Sequence, residues 1–344
     1  MGKQEDKNYM SDNIRVGLVG TGRIGHIHAH TLAAMPGVEL AAVTDINEES
    51  AQACAATCPG TKVVESYPQL LEDPSIQAVV ICSSTHTHAP FMIQAAEAGK
   101  HIFCEKPIAA ELDKIDEALA AVERAGVKLM IAFNRRFDAN HWRIKHAIES
   151  GEIGTPHRLH IISRDPAPPP VDYIKVSGGL FFDMTIHDFD MARFLLGDVD
   201  EVYATGGVMV DPRIGEAGDI DTAVITLKFK NGAIGTIENS RQAVYGYDQR
   251  VEVFGSKGAA RSDNWYPNAV TLSTAENVRR DLPLNFFLER YLGSYQAEME
   301  AFIRALVHDT PMPVTGVDGR APVVIAMAAL KSYRENRPVK IAEI

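Results

Sequence analysis

The apolar positions follow two regimes along the chain. Up to about residue 135, uninterrupted apolar runs alternate with Ala- and Glu-rich stretches. The runs are Ile14–Val19, Glu39–Thr44, Ala78–Cys82, His101–Cys104 and Lys128–Phe133; the stretches include Glu48–Thr57, Pro90–Ala98 and Glu111–Ala125. Runs that are apolar at consecutive positions predict strands buried on both faces, and helices between them predict a parallel sheet covered on both sides. Beyond that point the pattern changes. Asp138–Ser150 has helical spacing, Pro156–Ser163 reads as a strand, and Pro166–Pro170 is confined to extended backbone. One helix is expected from Gly178–Gly179 to Leu196. Glu201–Val210, Thr222–Lys230, Ala233–Arg241 and Arg250–Phe254 then alternate, and Asn231-Gly232 marks a hairpin between two of them. This predicts a mostly antiparallel sheet, closed by helices over Leu288–Val307 and Asp318–Glu335. The expected organisation is α/β, with one domain over residues 1–135, beginning with a polar leader 1–13, and a second over 136–344.

Composition narrows the function classes. The 344 residues carry a net charge of −11, with no basic block. A nucleic-acid partner needs a basic footprint, and an anionic membrane surface attracts one, so neither partner is expected. No apolar run approaches the roughly 18 residues of a membrane helix. The leader has no apolar core of a secretory signal, which makes the expected location cytoplasmic. Cys54, Cys58, Cys82 and Cys104 form no CxxC pair. A zinc site or a disulfide is conceivable for Cys54 and Cys58, but buried reduced thiols are the expectation.

The run Ile14–Val19 leads into Gly20-Thr21-Gly22-Arg23-Ile24-Gly25 and then a helical stretch. Strand, G-x-G-x-x-G and helix together form the dinucleotide-binding fingerprint of a Rossmann domain. Gly20 makes the tight turn, Gly22 lets the backbone approach a pyrophosphate, and Gly25 lets helix pack on strand. Arg23 and Ile24 lie in the same turn, where unpaired helix N–H groups face the phosphates. Asp45 follows Gly25 by 20 residues, at the end of the second strand. A carboxylate there accepts from the adenosine ribose hydroxyls and repels a 2′-phosphate, although it could instead cap the next helix, as Asn47 could. No Lys or Arg occurs between Asp45 and Lys62, so NAD is the expected cofactor rather than NADP. Ser83, Thr85 and His88 end the next buried strand and, with Glu105 and Lys106, complete the expected cofactor set. His26, His28 and His30 are read as packing or solvated, since His28 faces away from the other two on a helix.

Cys104-Glu105-Lys106-Pro107 ends another buried strand, and a proline here can hold a cis peptide. A lysine at that edge can bind a substrate hydroxyl and steady a developing oxyanion. Downstream, Asp183 and His187 are spaced i, i+4 in a helical pattern, which places a carboxylate beside a base suited to neutral pH. Asp190 lies on the same broad face and could act instead. The three also resemble a metal set, but no metal is required, and none is expected.

These segments are recognisable. VGLVGTGRIGHIHA, CEKPI, FNRRFD and GGLFFDMTIHDFDMARFL resemble the glucose–fructose oxidoreductase/inositol dehydrogenase/rhizopine-catabolism (Gfo/Idh/MocA) family from about Ile14 onward. DMTIHDFDMARFL and Tyr245-Gly-Tyr247-Asp248 point to its inositol 2-dehydrogenase branch. The resemblance implies a Rossmann domain followed by an α/β domain whose large open sheet packs against other subunits, in a homodimer or homotetramer, the latter favoured. It implies Lys106, Asp183 and His187 as the catalytic set. It further implies Asn134, Arg136 (with Arg135 beside it) and Tyr245 or Tyr247 at the substrate. The implied reaction is NAD-dependent oxidation of a polyol: C2 of myo-inositol, or else scyllo-inositol, another cyclitol or a pyranose. A non-catalytic NAD-binding regulator is the reading from a different class, and the intact Lys–Asp–His set argues against it.

Overall fold

The consecutive apolar runs become a six-stranded parallel sheet in a computed structural model, which describes residues 13–344. The polar leader falls, except for its last residue, outside the described residues. The strands are β1 (Ile14–Val19), β2 (Val38–Thr44), β3 (Lys62–Val63), β4 (Ala78–Ile81), β5 (His101–Glu105) and β6 (Leu129–Ala132), in the order β3-β2-β1-β4-β5-β6. Every residue of β4 and β6 is buried, as expected of strands covered on both faces. The order reverses between β1 and β4, and in such sheets the crevice at the carboxyl ends of those two strands is where ligands bind. The helix Arg23–Ala34 starts there, directly after the glycine turn.

The chain divides after Ala132 rather than at the expected residue 135, and the first unit also takes in Tyr295–Gly319. That segment covers the β6 side of the sheet. The Ile131 amide donates to the Val314 carbonyl at 3.2 Å, and the Lys128 ammonium donates to the Thr310 carbonyl at 2.7 Å. The Phe302 ring meets Phe103 edge-on at 5.5 Å.

The second unit is built on a seven-stranded sheet. Its members are β7 (Pro156–Arg164), β8 (Val199–Gly207), β9 (Thr222–Phe229), β10 (Ile234–Ser240), β11 (Asp248–Gly255), β12 (Gly258–Ser262) and, after a separate hairpin of β13 (Thr271–Ser273) and β14 (Val278–Arg280), β15 (Val339–Lys340). The order is β12-β11-β7-β10-β9-β8-β15. Only the β7–β10 pair is parallel, so the sheet is mixed with antiparallel pairing dominant. Burial alternates strictly along β9, which marks a sheet with one covered and one open face. Among the described residues, no helix is long and apolar enough to cross a membrane.

The single helix expected over 178–196 is in fact two, Leu180–Asp183 and Ile186–Leu196. Thr185 makes the break. Its amide donates to the Leu180 carbonyl at 3.0 Å, five residues back, and its hydroxyl donates to Asn239 Oδ1 at 2.6 Å while lying 3.2 Å from the same Leu180 carbonyl, which closes the first helix one residue too wide to continue. A threonine hydroxyl that competes for backbone acceptors has this effect on helices generally. Asp183 and His187 therefore lie on either side of a break, and regular i, i+4 spacing does not relate them.

The glycine turn allows a contrast. A Cβ on Gly25 would lie 1.9 Å from the Gly20 carbonyl oxygen, whereas a Cβ on Gly22 would meet nothing within 4 Å. Gly25→Ala is expected to destabilise the protein by about 1–3 kcal/mol, as overpacking does. Gly22→Ala should leave unfolding within about 0.5 kcal/mol of the parent, yet weaken binding of a dinucleotide whose pyrophosphate needs that space. Urea unfolding and an NAD titration of both variants check the pair.

Candidate active site

The cofactor side lies in the first unit. The Gly20 amide donates to Thr44 at 2.9 Å, fixing the turn against the end of β2. Gly22 is the N-cap of the helix Arg23–Ala34, whose first turn carries no acidic side chain and whose cap makes no side-chain bond. Its first amides are thus left for an anion. Asp45 spans the same region. Its Oδ2 accepts from the Thr21 amide at 2.6 Å and the Thr21 hydroxyl at 3.2 Å, and its Oδ1 accepts from the Asn47 amide at 2.8 Å. A carboxylate has about four acceptor sites, so one remains on Oδ1. Asn47, not Asp45, caps the next helix, by accepting from the Ser50 amide. Ile46 is fully exposed, with no cation beside the carboxylate in sequence. A clear approach at Gly22, a bare helix N-terminus and an acceptor at Asp45 fit a dinucleotide.

Ser83 and Thr85 lie where β4 hands over to the helix Thr85–Glu97, and their placement leaves the expected cofactor role open to test. His88 is buried, its Nδ1 is 2.7 Å from the Pro107 carbonyl and its Nε2 is 2.9 Å from the Ser83 carbonyl. A neutral imidazole has one N–H, so the ring donates to one of these two carbonyls and packs against the other, between the segments that follow β4 and β5. Burial lowers its pKa. Lys106 follows directly on β5, and its bond to Pro107 is cis. All four cysteines are free thiols, and burial pushes the Cys54 thiol up to about 12.

The second unit holds Asp183 and His187. The Asp183 Oδ1 accepts from the Tyr173 hydroxyl at 2.8 Å, and its Oδ2 accepts from the Arg241 guanidinium at 3.2 Å. Arg241 is 1% exposed and faces Asp219 at 3.7 Å as well. Asp219 in turn accepts from the Leu180 amide at 3.0 Å, capping the short helix that carries Asp183. The His187 ring stands perpendicular to Phe133, with centroids 6.2 Å apart.

The side chains expected at the substrate are tied into the protein as follows. Arg136 is buried and makes a forked pair with Asp190, the NH2 group lying 2.6 Å from Oδ1 and Nε 2.9 Å from Oδ2. Asp190 is therefore a structural counter-ion to Arg136, not a spare base. The Asn134 amide donates to the Ser294 hydroxyl at 3.0 Å. The buried Tyr247 hydroxyl accepts from Arg135 at 3.3 Å, while Tyr245 donates to Asp248 and accepts from Arg164, both at 2.6 Å. Arg135 also pairs with buried Asp188 at 2.7 Å, and Asp188 accepts from Asn239 at 2.8 Å.

The sequence reading missed Tyr173, Arg241, Asp219 and Asp165. Tyr173 follows the proline run and Arg241 follows directly on β10, positions whose meaning depends on a partner far away in sequence. Asp165, just past β7, is half-buried. Burial, reinforced by the Asp183 and Asp188 carboxylates and opposed by Arg241 and Arg135, pushes its pKa up to about 6.

Family models match both parts of the chain. An oxidoreductase-family NAD-binding Rossmann fold covers residues 14–133, and a GFO/IDH/MocA C-terminal domain covers 141–261. The chain is 48% identical to the myo-inositol 2-dehydrogenase of Thermotoga maritima over 96% of its own length and 99% of that protein. It superposes on a myo-inositol dehydrogenase structure from Corynebacterium glutamicum with a TM-score of 0.92, at 40% identity and coverage of 95% and 98%. A scyllo-inositol dehydrogenase from Lactobacillus casei, solved with NAD(H) and scyllo-inositol, superposes with a TM-score of 0.90 at 28% identity, covering 96% and 100%.

Asp165 yields a pH-dependent expectation. Its folded pKa of about 6 exceeds the ordinary 3.8, so the folded protein binds the proton more tightly. The stability this contributes is complete below about pH 4 and is lost as pH rises through about 6. Asp165→Asn should thus stabilise the protein by about 1–3 kcal/mol above pH 7 and by almost nothing below pH 4. Urea unfolding of both proteins across that range checks it; a gain independent of pH would contradict the assignment.

Proposed function

The chain belongs to the GFO/IDH/MocA oxidoreductase family, and we propose that it is an NAD-dependent inositol 2-dehydrogenase that oxidises the C2 hydroxyl of myo-inositol to the 2-keto product. The observation that carries this reading is the full-length likeness to a myo-inositol 2-dehydrogenase in a chain that keeps Lys106, Asp183 and His187. His187 is the general base and takes the hydroxyl proton. Asp183, held by Tyr173 and Arg241, supports the imidazolium that results. Lys106 donates a hydrogen bond to the reacting oxygen and steadies its negative charge. NAD, when bound, accepts the hydride from the carbinol carbon at C4 of its nicotinamide, so the carbon loses a hydride and the oxygen a proton as the C=O bond forms. Asn134, Arg136 and Tyr245 or Tyr247 complete the substrate's surroundings in this reading, with Arg136 held in place by Asp190.

Cofactor choice rests on Asp45. Its remaining acceptor site suits a ribose hydroxyl, its charge repels a 2′-phosphate, and Ile46 offers that phosphate no cation. The reading extends to a homotetramer in the cytoplasm. The open face of the second sheet exposes Val224, Ile234 and Phe254 at about half of their surface and on one side, the first two on the adjacent strands β9 and β10 and the third on β11, across β7 from β10. Apolar side chains aligned in this way favour association with copies of the same face.

Turnover with NAD should be seen with myo-inositol and exceed that with scyllo-inositol, other cyclitols and glucose. Preference for glucose, or no turnover with any polyol, would overturn the reading. kcat/KM should rise with pH through one ionisation, and His187→Ala should abolish that rise and slow oxidation by roughly 10²–10⁴-fold while leaving NAD affinity intact. Near-normal oxidation by His187→Ala would remove the base from the mechanism.

A further inference from the structure

Three polar side chains of the first unit meet, and of these only Glu105 belongs to the expected cofactor set. His28 lies on the helix Arg23–Ala34, Glu105 ends β5, and Glu298 lies on the helix Phe287–Val307. The side chains of His28 and Glu298 have no solvent exposure, whereas that of Glu105 keeps 14%. The His28 Nε2 is 2.9 Å from Glu105 Oε1 and 4.0 Å from Glu298 Oε1. Edge contacts with Phe103 and Tyr295, at 5.1 and 5.9 Å between centroids, fix the plane of the ring. Neither oxygen of Glu298 has a hydrogen-bond partner among the described residues.

Proton placement follows from these positions. A carboxylate only accepts, so the short contact to Glu105 requires the His28 proton on Nε2. Two neighbouring carboxylates, one of them fully buried, do not both ionise. Burial, with the Glu105 charge added, raises the pKa of Glu298 well above its ordinary value. Glu105 is the one member of the cluster with an opening to the outside. His28 occupies one of its oxygens, and the remaining acceptor sites suit a donor.

We propose that His28 is a positioning residue for Glu105, gripping one carboxylate oxygen so that Glu105 holds its remaining acceptor sites ready for a hydroxyl or amide donor of bound NAD, with buried Glu298 closing the cluster behind. The inference rests on the NAD-dependent reading above. The residue that follows Glu105 is Lys106, so the grip also fixes the strand end from which the lysine projects.

The test compares NAD dissociation constants of the full-length parent, His28→Ala, His28→Gln and Glu105→Gln, with thermal unfolding of each and a metal analysis of the purified parent. His28→Ala should weaken NAD binding about tenfold, the scale of a lost hydrogen bond to a charged group. His28→Gln keeps an N–H donor and should recover to within about threefold of the parent, even if its thermal stability stays as low as that of the alanine variant. A merely structural histidine would instead give affinities that follow stability. Should His28→Ala fail to fold, His28→Leu, which refills the space without a donor, carries the same expectation. Weakened binding in Glu105→Gln with parent-like binding in His28→Ala would overturn the positioning role and leave the NAD contact standing. Parent-like binding in Glu105→Gln would overturn the proposal at its target, and failure of the parent to bind NAD would remove the reading beneath it. A stoichiometric divalent metal in the parent, lost in His28→Gln, would overturn the proposal in favour of a metal site.

Discussion

Arg241 carries a full positive charge into a position that water does not reach, and the arrangement around Asp183 depends on how that charge is met. Its side chain is 1% exposed, with the Asp183 carboxylate at 3.2 Å and that of Asp219 at 3.7 Å. Removing one partner of such a buried pair typically costs about 3–5 kcal/mol, because the survivor keeps its desolvation penalty. An exposed pair such as Lys331–Glu335, by contrast, is worth about 0–1 kcal/mol. The comparison explains why three separate segments converge. The residue directly after β10 supplies the cation, the short helix Leu180–Asp183 supplies one anion, and Asp219 supplies the other while capping that same helix through the Leu180 amide. Asp183 is fixed on one oxygen by the guanidinium and on the other by Tyr173, so its orientation is set before any substrate arrives.

A second buried charge is handled differently. Arg136 meets Asp190 in a fork, and Arg135 meets Asp188, which is braced by Asn239. Successive arginines thus anchor one helix, Ile186–Leu196, at positions two residues apart. His187 precedes Asp188 on that helix, so the two ion pairs hold the backbone that carries its ring. The same logic governs the cofactor side, where Thr21, Asn47 and Asp45 lock the glycine turn to the end of β2.

How far all this could be read from residues alone follows from the range of each interaction. β4 and β6 were legible because a strand buried on both faces announces itself by consecutive apolar residues. β9 was legible because one open face forces alternation. The glycine turn was legible because its three glycines and Asp45 lie within one supersecondary unit. The break at Thr185 was not, since a threonine is common inside helices and only its bonds to Leu180 and Asn239 reveal the competition. Tyr173 and Arg241 stand 10 and 58 residues from Asp183, and His28 stands 77 from Glu105. No local pattern links such partners, because each owes its position to the fold. The contact of His88 with the Pro107 carbonyl, 19 residues away, is of the same kind.

In the proposed reaction this chain removes a hydride from the carbinol carbon of an inositol and a proton from its oxygen as separate particles. The most direct measurement follows the isotope. Myo-inositol deuterated at C2 is oxidised by the protein with NAD, and the reduced cofactor is analysed by mass spectrometry and proton NMR. The account predicts one deuterium per reduced cofactor, at C4 of the nicotinamide, with none appearing in water. Reduced cofactor free of deuterium, or deuterium released to solvent, would contradict it.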